Sequence, residues 1–213
     1  MSSPLSAIDI VSKAASVVLH PLLLPVYCTL LIFYTPTPYA GLPVTFNAYM
    51  LGLVGIFGSL LPLIIIGAFI LFGLVSDVSM PTRSERVLPL LATALSMGCA
   101  AGYVWSLLPS PVLGVILGES AVLFVAAVWS LFWKVSLHAM GAGGLLAVIW
   151  SVGAAYGQDC SAGAAVAFVW AGVTAWTRIH EKAHTPWQLL AGYVTGFVVM
   201  GVAMYLLLLR RLL

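Results

Sequence analysis

The sequence predicts an all-α protein: a polytopic bundle of about six to seven transmembrane helices in one membrane-embedded domain, residues 1–213. Three observations carry that expectation. Charged residues make up 7% of the chain, against roughly 25% in an average soluble domain, and eight basic plus six acidic side chains cannot clothe a soluble surface of this size. Hydrophobic residues make up 62%, with a mean hydropathy of +1.14. Several apolar runs approach the roughly 20 residues that cross a hydrocarbon core of about 30 Å, without the alternation of barrel strands.

Runs bounded by Pro, Gly or charge predict spans over 15–35, 48–75, 88–108, 111–132, 137–156, 162–178 and 187–209. The polar segment Met1 to Lys13 lacks the basic start and small-residue cleavage site of a secretory signal, so the first span is expected to direct insertion. The second span ends before a charged cluster opening at Asp77. The third closes at Leu107-Leu108-Pro109-Ser110-Pro111, where two prolines force a turn; a tight hairpin is the simpler reading, a re-entrant pair the alternative. Glu119 lies within the fourth span. The fifth follows Lys134, the sixth ends at Arg178 and the seventh follows Pro186. No linker divides the spans, and no internal repeat of the kind built into many transporters is evident. Cys28, Cys99 and Cys160 stand singly in apolar segments, which indicates neither a disulfide framework nor a thiolate zinc site.

The placement of charge is more informative than its scarcity. Asp77, Arg83, Glu85 and Arg86 follow the second span, Lys134 precedes the fifth, and Arg178, Glu181 and Lys182 follow the sixth. Two spans separate each group from the next, so all three lie on one membrane face, together with Ser136, His138, His180 and His184. The opposite connections hold a single charge, Asp159. The positive-inside rule accounts for basic residues on one face, but not for mixed acids and bases beside three histidines. A convergent site accounts for both. A net charge of +2 without a basic tail or patch argues against nucleic-acid partners.

Ser136-Leu137-His138 opens the fifth span, and Thr177-Arg178 is followed by His184 and Gln188. This arrangement resembles the type 2 phosphatidic acid phosphatase superfamily, the membrane lipid phosphatases related to vanadium haloperoxidases. Ser136 and His138 match that family's Pro-Ser-Gly-His motif without its Pro and Gly. Thr177-Arg178-x5-His184-x3-Gln188 matches its Ser-Arg-x5-His-x3-Asp, with Thr for Ser and Gln for Asp. Arg83-Ser84-Glu85-Arg86-Val87-Leu88-Pro89 is the nearest counterpart of its Lys-x6-Arg-Pro, but carries no lysine in register. His20-Pro21 is similar to a feature of a divergent bacterial branch. The resemblance covers roughly residues 77–200.

The resemblance implies a metal-independent hydrolase acting on a lipid phosphate or isoprenyl diphosphate in a bacterial plasma membrane, through a phosphohistidine on His184 with His138 as acid. Arg178, with Arg83 or Arg86, would clamp the phosphate, since guanidinium groups bind its oxygens in bidentate fashion. Ser136 and the amides at the start of its helix favour an anion, and Lys134 adds charge or snorkels at the boundary. Gln188 can orient His184 but supplies no charge. The equivalent Asp-to-Asn change in a serine protease triad costs about 10⁴ in rate, so slow catalysis, a substitute carboxylate such as Glu181 or Asp77, or non-catalytic lipid-phosphate binding are the consequences to weigh.

Two further readings compete. His180-Glu181-Lys182-Ala183-His184 is a literal H-E-x-x-H, which on a helix would bind zinc in a membrane protease; Pro186 follows closely and no third ligand is evident. A transporter would use Glu119 and the histidines as a proton path. His20 and His180 read as interface anchors, and Trp133, Trp176 and Trp187 as an aromatic belt. Arg210-Arg211 argue for a cytoplasmic C-terminus and an external site, whereas counting Arg83, Arg86, Lys134, Arg178 and Lys182 argues the reverse.

Overall fold

The computed structural model describes residues 6–209, all of whose regular elements are helical; Arg210 and Arg211, with their bearing on orientation, lie outside them. The α-helices are α1 (Ala7–Val18), α2 (Leu24–Tyr34), α3 (Val44–Val54), α4 (Leu61–Leu71), α5 (Ser84–Tyr103), α6 (Ser110–Phe132), α7 (Leu137–Tyr156), α8 (Ser161–His180) and α9 (Pro186–Leu209). Two pairs act as broken single segments, so six stretches are long and apolar enough to cross a membrane: Ala7–Tyr34, Val44–Leu71, and those of α6, α7, α8 and α9. The seventh long helix, α5, carries Glu85 and Arg86 in its first turn. The protein is thus an all-α integral membrane bundle. Pro109 caps α6, which packs back along α5, and Ser120 Oγ donates to Ala94 O at 2.7 Å between them. The double-proline segment is a tight hairpin.

The first segment starts earlier than the expected span, because Ser6 and Asp9 form a reciprocal capping box that begins a helix at Ala7. It breaks at His20-Pro21, since Pro21 has no N–H to donate. The His20 ring caps the next short turn, its Nδ1 accepting from Leu22 N at 3.2 Å. This break lets α1 leave the line of α2 and lie against α8.

The central helices are α6 and α7, the most deeply buried of the six spans, with well over half of each enclosed by the rest of the bundle. Lipid tails are as apolar as leucine, so helices here associate through close van der Waals contact between small residues. Gly143 lies against the carbonyl of Tyr193, and Gly196 against the backbone of Met140, with no space for a Cβ at either position. Gly196→Ala is expected to cost about 1–3 kcal/mol by forcing α7 from α9, read as a lower unfolding midpoint in detergent. Gly52→Ala, where a Cβ meets nothing within 4 Å, should leave the midpoint unchanged or slightly raised.

Candidate active site

At the end of the bundle where α5, α7 and α9 begin, the connections 72–83, 133–136 and 181–185 meet α1 around a cavity of about 660 Å³. Five basic side chains line it, Lys13, Arg86, Lys134, Arg178 and Lys182, against three acidic ones, Asp77, Glu119 and Glu181. His20, His138 and His184 line it too. The three charged connections that the order of crossings assigns to one face thus meet around one cavity. A separate hollow of about 770 Å³ between α7 and α9, bordered by Trp150, Phe197 and Tyr205, has no acid, base or histidine among the described residues of its wall.

His184 sits in the turn before α9. Its Nδ1 lies 3.2 Å from Gln188 Oε1, which also accepts from Thr185 N at 3.0 Å. Because the Thr185 amide must donate, the atom it meets is the amide oxygen. Nδ1 of His184 therefore carries the proton, and Nε2 keeps its lone pair. Burial pulls the His184 pKa down to about 4, helped by the positive charges of Arg86 and Lys134, while the Gln188 hydrogen bond acts the other way. The ring is neutral at pH 7. Lys134 is also shifted downward, by burial and by Arg86.

Arg86 is buried, and its guanidinium donates from Nε to Met80 O at 2.9 Å, from Nη1 to Val135 O at 2.9 Å and from Nη2 to Ser79 O at 3.4 Å. It thus ties two site loops together. A guanidinium has five N–H groups, so two remain for a ligand. Arg178 gives Nη2 to Ser16 Oγ and to Glu181 Oε2, the latter at 2.6 Å, while its buried Nε has no partner. Glu181 Oε1 in turn accepts from Ser12 and Ser16, each at 3.0 Å. One carboxylate therefore joins α1 to the end of α8 and fixes the Arg178 guanidinium.

His138, in the first turn of α7, places Nε2 3.2 Å from Ser16 O and meets the His20 ring edge-on at 5.1 Å. His20 is thus part of the site, contrary to its reading as an interface anchor; the break-forming His20-Pro21 pair was its sequence signal. Two expected residues stand apart. Ser136 is fully buried as the cap of α7, its Oγ accepting from Ala139 N at 3.3 Å, and does not line the cavity. Arg83 is turned away, donating to Phe132 O at 2.8 Å at the end of α6. Gln188 acts only through His184.

His180 and His184 do not share a helix, since α8 ends at His180 and Lys182 adopts φ 51°. His180 instead pairs with Asp9 at 2.9 Å and stacks on Trp176. Among the described residues no group of three or more His, Cys, Asp or Glu side chains is arranged to hold a metal ion. No family model, curated protein or solved structure matches the chain.

Removing the Glu181 carboxylate should leave Arg178, Ser12 and Ser16 without their acceptor. Glu181→Ala is expected to lose about 1–3 kcal/mol, measured by thermal unfolding in detergent. The depressed His184 pKa also has a sign. The unfolded ring takes a proton near pH 6.5 and the folded ring only near 4, so its contribution to stability is complete above pH 6.5 and is lost as pH falls toward 4. The pH 7 to pH 4.5 drop in unfolding midpoint should be smaller in His184→Gln than in the unsubstituted protein.

Proposed function

We propose that the protein is a metal-independent membrane hydrolase of lipid phosphates or diphosphates that works through a phosphohistidine on His184. The observation that carries this reading is the convergence, from three separate connections, of a neutral histidine oriented by an amide with Arg86, Arg178 and Lys134 around one cavity at the end of a membrane bundle. A phosphomonoester carries up to two negative charges, and such a cationic, partly dehydrated pocket holds it more strongly than water does.

In this mechanism Arg178 and Arg86 take the phosphate oxygens with their unengaged N–H groups, and Lys134 adds positive charge. His184 Nε2 attacks phosphorus; the N–P bond forms as the bond from phosphorus to the lipid oxygen breaks. That oxygen takes a proton from His138 as imidazolium, whose charge the bound phosphate stabilises. Water then attacks phosphorus, the N–P bond breaks, inorganic phosphate leaves, and the proton from water returns to His138. For this, His138 must exchange Ser16 O for the leaving oxygen. Gln188 holds the His184 tautomer throughout without adding charge.

A screen of purified protein against several lipid phosphates should show phosphate release that is blocked by vanadate and unaffected by chelator. His184→Ala is expected to reduce release by at least about 10³-fold with folding intact; release that persists would overturn the assignment. Gln188→Asp should maintain or raise the rate, because a carboxylate would keep the orientation and stabilise the cationic intermediate.

A further inference from the structure

Buried polar atoms in folded proteins nearly always have a partner, so the exceptions ask for an explanation. Among the described residues six buried side-chain atoms lack a partner, and three of them belong to side chains that line the same cavity: Arg178 Nε toward its mouth, and Glu119 Oε2 and Thr93 Oγ1 toward its floor. Glu119 is 5% exposed and Thr93 2%. Their helices are held in register by the bond from Ser120 Oγ to Ala94 O, one residue beyond each. Thr93 follows Arg86 by seven positions on α5, which puts it about 10 Å deeper at 1.5 Å per residue. Leu90 and Leu123 line the cavity beside this pair. The unsatisfied atoms thus mark two ends of one elongated space, one cationic and one made of an acceptor beside a hydroxyl.

An alcohol hydroxyl completes the floor by donating to Glu119 Oε2 while accepting from the Thr93 hydroxyl. A hydrocarbon chain lying there would leave both polar atoms stranded. We propose that Glu119 and Thr93 form a hydroxyl-recognising subsite, and that the preferred substrate is a lipid phosphate with a free hydroxyl close behind its phosphate, as in lyso-glycerolipid or sphingoid phosphates. This inference rests on the lipid-phosphate reading of the cavity mouth. Diacylglycerol 3-phosphate and isoprenyl phosphates have no such hydroxyl.

The test compares 1-acyl-glycerol 3-phosphate with its 2-deoxy analogue, which differs only in the hydroxyl. Two readouts are taken in detergent: kcat/KM for phosphate release, and equilibrium binding to His184→Ala. The hydroxyl-bearing lipid is expected to be favoured about ten- to hundredfold in each, the range for a hydrogen bond to a charged or buried group. Glu119→Leu and Thr93→Val should each abolish that preference, bringing the two lipids to equal kcat/KM and equal binding. Glu119→Gln, which keeps a carbonyl acceptor, should retain it.

Equal handling of the two lipids by the unsubstituted protein would overturn the subsite and assign the floor to water. A preference that survives both apolar variants would overturn it as well, as would an equal loss on both lipids in Glu119→Leu and Glu119→Gln, the signature of a proton-transfer role. Absence of release with the binding preference intact would overturn only the phosphatase reading. Absence of binding by both lipids would overturn both.

Discussion

The contact between the backbones of α7 and α9 sets the geometry on which the site depends. With Gly196 against Met140 and Gly143 against Tyr193, the two helices approach more closely than any side chain would permit. Their N-terminal ends are thereby brought side by side, close enough for Ser136 N to lie 3.5 Å from Gln188 O. His138 begins one of these helices and His184 precedes the other. A pair of histidines about forty-five positions apart thus faces one cavity because two glycines deep in the bundle have no Cβ.

A second constraint follows from the medium. Hydrocarbon offers no hydrogen bonds, so polar groups drawn into a membrane bundle must be satisfied by the bundle itself. Arg86 meets this by donating to three loop carbonyls. Arg178 and Glu181 meet it by recruiting Ser12 and Ser16 from α1. The cavity is therefore walled by charged groups that are already partly engaged. Of the six buried polar atoms left over among the described residues, three, Arg178 Nε, Glu119 Oε2 and Thr93 Oγ1, belong to side chains that border this space, which is where a ligand would complete them.

The break at His20-Pro21 connects these two constraints. Without it, α1 would continue along α2 and could not lie against α8. With it, α1 supplies the serines that hold Glu181 and the carbonyl that engages His138, and the break itself supplies the His20 ring that packs against His138. The same helix covers His138, so access to that ring is linked to the position of α1. The cavity is in this way bounded on one side by the chain's own first segment.

The sequence by itself determined the membrane class, the order and approximate bounds of the helices, and which charged connections share one end of the bundle. These depend on local quantities: the length of an apolar run, the position of a proline, the parity of the crossings. It also paired His184 with Gln188, because a four-residue separation is a short-range relation. Only the tertiary structure decided which side chains meet. Arg83 and Arg86 are neighbours in sequence, yet one caps α6 outside the cavity and the other is buried in its wall. Ser136 turned inward to cap its helix, while His20, Ser16 and Glu119 came in from distant segments. A side chain's direction is set by the helix packed beside it, and that neighbour is written elsewhere in the chain.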